Sequence, residues 1–233
     1  MIHYADWIWH PFLAGKNISC RFRSAFILPD VPRTCSVTVS AHHFYKLSIN
    51  GNLVSGLVTP APSVFQKRKW TVSYEVAPFL RSGENVLAFT VLYLGEDGQN
   101  RTRGCPGLIF EARAVLPDST VLIIASKSGC RCSSETEYVP GLPMREPRGL
   151  TGSTRTDCSR GDKDWMLPGF DDSGWEKAVL SPARFLVPAL TPQEIPEGIV
   201  SRKWEPALLC EEPGLKLYDA GEVLAGFVQV LLA

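Results

Sequence analysis

Three pairs of acidic side chains are the first candidates for chemistry: Asp171-Asp172, Glu211-Glu212 and Glu96-Asp97. Acid–base hydrolysis needs one carboxyl group kept protonated and a second facing it across the bond to be cut. Adjacent residues of an extended segment point to opposite faces, so none of these pairs is placed to share one substrate. Asp171-Asp172 precedes Ser173-Gly174 and reads instead as a turn closed by side chain to backbone bonds. The four histidines, His3, His10, His42 and His43, lie early in the chain with no evident acid to orient them. No Gly-x-Ser-x-Gly elbow, phosphate loop or dinucleotide fingerprint is present. No catalytic residue is expected.

Binding chemistry is better supplied. Of six tryptophans, Trp7 and Trp9 stand two apart and read as core. Trp165 falls in a loop beside Asp162 and Asp164 and is the best candidate for an exposed ring. At His42-His43 one imidazole can face outward at a strand end. An aromatic face flanked by acidic groups suits a sugar, because the ring stacks on apolar C–H faces while carboxylates take hydroxyls. Trp165, Asp162, Asp164 and His43 are therefore the candidate carbohydrate contacts.

Composition removes other classes. Twenty-four basic and 24 acidic side chains balance, so no global field draws the chain to nucleic acid or anionic lipid. The longest basic run, Gln66-Lys67-Arg68-Lys69, reads as a solvated loop. The start, Met1-Ile2-His3-Tyr4, lacks a basic stretch followed by a signal-like apolar run, and no window approaches the roughly 20 apolar residues of a membrane span. A soluble, cytoplasmic protein is expected. The seven cysteines are odd in number and fit reduced thiols better than a disulfide framework. Cys130-Arg131-Cys132 lacks the spacing of a zinc or redox pair.

The elements that must position these groups are strands. Residues 20–28 alternate polar and apolar, 36–40, 45–49 and 70–76 follow, and 86–93 is continuously apolar or small, as for a strand buried between layers. Residues 108–114 and 120–125 form a further pair around Pro117-Asp118-Ser119. Asn50-Gly51 is a two-residue hairpin signal, because a type I′ turn needs positive φ at both central positions. Helical periodicity is thin, with at most a short turn at 171–178. Residues 183–213 read as a Pro-rich linker hugging the first domain, with a short strand near 199–201. Two more strands, 215–219 and 226–232, end the chain.

The order of motifs resembles the front of bacterial α-L-rhamnosidases of glycoside hydrolase family 78. The stretches that carry it are Ala5-Asp6-Trp7-Ile8-Trp9, Phe22-Arg23-Ser24-Ala25-Phe26, the Tyr74 to Ala88 stretch with its Gly83-Glu84-Asn85, Phe170-Asp171-Asp172-Ser173-Gly174-Trp175, and Tyr218-Asp219-Ala220-Gly221. The Arg131 to Arg160 stretch departs from the family's pattern, with Asp157-Cys158-Ser159-Arg160 in place of its usual Tyr-Asp-Ala-Arg. The resemblance implies an all-β fold: a galactose-binding-like jelly-roll sandwich over 1–182, the linker 183–213, and the opening strands of a second β-sandwich over 214–233. It implies a catalytic (α/α)₆ barrel outside this chain as partner, and a rhamnose-type carbohydrate as ligand. An inverting glycosidase holds its two carboxyl groups about 6.5–9.5 Å apart, and that pair is expected on the barrel. The resemblance also admits a Ca²⁺ site built from loop carboxylates and carbonyls, with no ligands assigned; no other cofactor is expected. The functional expectation is a non-catalytic, carbohydrate-binding-like accessory module, with a purely structural packing module or a divergent gene fragment as the alternative.

Overall fold

The computed structural model describes residues 2–57, 59–98, 102–143, 154–187 and 189–223. It divides into two compact units, Met1–Gly198 and Ile199–Ala233. Strands of the first unit are, in order, β1 (Ile8–Trp9), β2 (Ile18–Leu28), β3 (Thr34–His42), β4 (Phe44–Ile49), β5 (Asn52–Leu53), β6 (Lys69–Glu75), β7 (Gly83–Tyr93), β8 (Gly107–Val115), β9 (Val121–Ala125), β10 (Arg131–Ser133), β11 (Glu176–Lys177), β12 (Val179–Leu180) and β13 (Leu190–Pro192). A one-turn helix, α1 (Ala183–Leu186), precedes β13. One sheet runs β12-β1-β8-β3-β6-β13 with β9 also on β8, and the other runs β11-β10-β2-β7-β4-β5. The expected all-β sandwich is formed.

Alternation along the two longest strands sets the layers. From Ile18 opposite Tyr93 to Leu28 opposite Gly83, β2 and β7 pair without interruption. Cys20, Phe22, Phe89 and Val91 face the partner sheet and are buried, while Arg21 and Arg23 turn outward. Phe89 stacks on Phe110 of β8 with ring centroids 4.6 Å apart, joining the two sheets at the centre of the core. Each such ring contributes roughly 1.5–3 kcal/mol by burial. Their contact adds about 0.5–1.5 kcal/mol.

The motifs quoted above are joints of this frame. Asn50 and Gly51 take φ of 48° and 85°, the positive pair that the hairpin turn demands. Asn50 Oδ1 accepts the Val86 N–H at 2.8 Å, and its Nδ2 donates to Asn85 Oδ1 at 2.9 Å. The Asn85 amide, fully buried, also accepts from Arg81 N and donates to the Arg81 and Gly83 carbonyls. The Asn-Gly and Gly-Glu-Asn turns are thus locked to each other, although 35 residues separate the two asparagines.

Later segments cover the outer face of β2 and run alongside β6, which periodicity did not show. Parts of 135–143 and 154–172 lie over the outer face of β2, where Val139 N–H donates to Arg155 O and Asp157 N–H to Glu137 O. Residues 189–193 run along β6: β13 pairs in parallel with Lys69 to Thr71, and further on a bridge joins Gly198 to Leu57. Glu197 Oε1 takes the Tyr74 hydroxyl at 2.6 Å, and Tyr74 Oη is 3.0 Å from Tyr45 Oη. The strand expected at 199–201 is not formed, because these residues carry no ladder partner. In the second unit β14 (Ala207–Glu212) pairs with β15 (Leu215–Asp219), so β14 occupies a stretch read from sequence as linker. The strand expected at 226–232 lies outside the described residues.

Candidate functional site

Two polar clusters gather the residues that sequence singled out. The first sits on the outer face of β2. Arg23, 3% exposed, donates from Nε to Trp165 O at 3.1 Å, from Nη1 to Asp172 Oδ2 at 2.6 Å and from Nη2 to Leu167 O at 3.0 Å. Glu84 Oε1 lies 3.7 Å from the same guanidinium, and the Gly169 N–H donates to the Glu84 carboxylate at 3.1 Å. Arg21 donates to Glu137 Oε2 at 2.8 Å and to Asp162 O at 3.3 Å, with its guanidinium carbon 5.0 Å from the Trp165 ring centroid. Planar forks of this kind bind several fixed oxygens at once.

Trp165 is consequently not an exposed platform. It is 4% exposed and packs with Val86, Ala88 and Trp175, its ring 5.7 Å from that of Trp175. Asp162 and Asp164 remain exposed beside it. Asp171 accepts the Ser173 N–H at 2.9 Å, and this bond holds its carboxyl below the usual carboxylate range. Asp172 is bound by Arg23. The 170–175 segment is thus a turn, as its spacing indicates, with Phe170 and Trp175 rings 5.8 Å apart. Trp7 and Trp9 are both buried but in separate clusters, Trp7 with Phe65, Ile109 and Ala183, and Trp9 in the central core. Among the described residues no three His, Cys, Asp or Glu side chains converge as metal ligands, so the Ca²⁺ site gains no assigned ligand. No helix among them is long and apolar enough to cross a membrane.

The second cluster closes the end of the sandwich where β3 and β7 finish and β6 begins. His43 is buried: its Nδ1 accepts the Leu94 N–H at 3.1 Å, and its Nε2 lies 2.9 Å from Thr102 O. His42 stacks on it at 3.8 Å, with Nε2 3.0 Å from both Thr102 O and Arg103 O. The carbonyls only accept, so both imidazoles carry their proton on Nε2. His43, offered as a sugar contact, is spent on backbone. Lys69 Nζ then donates to His42 Nδ1 at 3.4 Å. This lysine is 2% exposed, against the expectation of a solvated basic run; only Gln66, Lys67 and Arg68 are exposed.

Sequence reasoning missed Lys69, and the available signal was small. Beginning the strand one residue earlier turns Lys69 toward His42 of β3, with β13 paired alongside. Burial lowers its amine to about 7. Burial first, then the Lys69 amine and the His43 ring, hold the His42 imidazole far below its ordinary range. Gly104 lets the segment approach: its φ is +51°, and a Cβ there would lie 2.5 Å from His42 Nε2 and 2.8 Å from Phe65 Cγ. Gly104→Ala is expected to cost about 2 kcal/mol, seen as a lowered urea midpoint.

Comparison with known proteins follows this geometry. The family described as "Alpha-L-rhamnosidase N-terminal domain" matches residues 31–208. Two relatives named alpha-L-rhamnosidase, from Formosa agariphila and Streptomyces avermitilis, are each 25% identical over 90% and 80% of this chain respectively. The match covers 22% and 18% of their own lengths, so this chain spans about a fifth of each. The GH78 family rhamnosidase of Bacillus sp. GL1 superposes with a TM-score of 0.77 at 27% identity, over 88% of this chain and 21% of that one.

Proposed function

Because the chain belongs to the α-L-rhamnosidase N-terminal domain family, we propose that it is a non-catalytic accessory β-module of an α-L-rhamnosidase-like glycoside hydrolase. Its role is to pack against, and hold in place, the catalytic barrel of the longer enzyme. The observation that carries this reading is the Arg23 joint. Trp165, the ring offered for stacking on a sugar, and Asp172, one of the acids weighed for hydrolysis, are both consumed in fixing 165–172 to β2. The second unit opens a further β-domain in this reading, since a two-stranded hairpin cannot bury Leu208, Leu209, Leu215 and Leu217 by itself.

Two measurements test it. The full chain mixed with p-nitrophenyl α-L-rhamnoside is expected to release no p-nitrophenol above buffer; turnover would overturn the non-catalytic assignment. Titration calorimetry with L-rhamnose, with and without Ca²⁺, tests direct contact with a rhamnose-type carbohydrate. That second reading retains Asp162 and Asp164, which are exposed, but has lost its stacking ring. No heat of binding is expected, and a saturable signal would restore the sugar-binding reading.

A further inference from the structure

The cluster at the end of β3 does something that packing alone does not need. Three successive carbonyls, Thr102, Arg103 and Gly104, accept hydrogen bonds from His43 and His42, from His42, and from the Tyr93 hydroxyl at 3.2 Å. Each imidazole uses Nε2–H for this and leaves Nδ1 as an acceptor facing a donor, Leu94 N–H for His43 and Lys69 Nζ for His42. A second proton on His43 would set N–H against the Leu94 N–H, and one on His42 would set N–H against the Lys69 amine whenever that amine is itself protonated. We propose that Lys69 and His42 form a proton-operated latch that holds the 102–105 segment closed in alkaline solution and loosens it progressively as pH falls through neutral into acid.

The groups around the latch agree in sign. From β6 comes Lys69, and the neighbouring Arg68 lies over the Trp70 ring instead. His42 and His43 come from the β3 to β4 junction, and Tyr93 from β7. Arg103 and Cys105 lie on the segment itself, with Asp97 Oδ1 accepting the Arg103 N–H at 2.7 Å. α1 and β13 contribute Ala183 and Leu190, which carry no charge. Burial lowers Lys69 and His42 and raises Tyr93 and Cys105, so the closed form favours the neutral state of each, Lys69 only above about pH 7.

Linkage follows from the direction of each shift. Lys69 is brought from an ordinary 10.5 to about 7, so below 10.5 the open form binds the proton more readily and opening grows as pH falls toward 7. His42 continues the trend below its ordinary 6.5, because only the open form can charge it. Each linked proton changes the opening constant by up to about tenfold per pH unit.

Amide hydrogen exchange on the full chain, corrected for intrinsic rates, tests the latch. Peptides spanning 102–108 are expected to lose at least about tenfold in protection from pH 8.5 to 5.5, while β2 and β7 peptides hold theirs. His42→Gln removes the part of the fall below pH 6.5 and keeps the part above 7. Lys69→Met does the reverse. Equal protection at both pH values, or an unchanged profile in His42→Gln, would sink the proposal. Nitrogen chemical shifts of His42 in the unmodified chain give an independent reading. A proton on Nε2 alone at pH 7 supports the latch, and a doubly protonated ring overturns it.

Discussion

Arg23→Met is expected to lose about 3–5 kcal/mol of folding stability, the usual cost of breaking a buried, hydrogen-bonded charge. Methionine fills similar volume, so the loss reports bonds rather than a cavity. Three acceptors are stranded at once: the Trp165 and Leu167 carbonyls and the Asp172 carboxylate. Asp172 keeps only Arg131 Nε at 3.6 Å, an arginine far more exposed than Arg23. Arg23→Lys is expected to recover little, since one ammonium cannot reach oxygens spread over eight residues of chain as a planar fork does. Urea unfolding followed by tryptophan fluorescence measures this directly, because Trp165 and Trp175 sit on the released segment. Combining Arg23→Met with Asp172→Asn should cost less than the sum of the two, as the pair shares one interaction. A loss under about 1 kcal/mol would show that the 165–172 segment is held by its apolar contacts alone.

Lys69→Met is expected to act in the opposite direction and raise stability at pH 7. Folding brings this amine from an ordinary 10.5 to about 7 by burial, with no carboxylate among the described residues bound to it. Its unfolded form therefore holds the proton more tightly. The cost is fully present below about pH 7 and is relieved as pH rises from there toward 10.5. Methionine removes that cost and fills the same space. The orphaned His42 Nδ1 subtracts about 1 kcal/mol. A net gain of roughly 2 kcal/mol at pH 7 is expected, after discounting the full value of the shift. The gain should shrink as pH rises to 9.5, where the unmodified chain has regained most of its stability. Urea midpoints at the two pH values decide it. A variant less stable at pH 7 would mean that the amine's bond to His42 outweighs its desolvation.

Both results concern side chains whose roles were hidden for the same reason. Arg23 and Trp165 are 142 positions apart, and the segment covering Lys69 begins more than a hundred residues after it. Exposure at such positions is a property of which distant segment lies on top, and no local pattern records it. Trp165 read as an exposed ring because its neighbours are Asp162, Lys163 and Asp164, all polar. Lys69 read as solvated because the three residues before it are.

What the amino-acid order determined by itself was local. Alternation in 20–28 and 70–76 placed side chains on two faces, since the side-chain period of a strand is two whatever surrounds it. Asn50-Gly51 forced a hairpin because few other pairs adopt positive φ twice in succession. Ser173 two residues after Asp171 made that acid a turn former, because its carboxyl reaches the backbone N–H two residues on. From these the sandwich and the family resemblance could be read. Only the tertiary structure decided which outward-facing polar groups stay outside. It spent His43 on Thr102, Asp172 on Arg23 and Trp165 on Arg21 and Trp175, and it buried Lys69 against His42. The physical cause is that later segments of the chain lie over the outer face of β2 and alongside β6. A buried polar group must then find its partners inside.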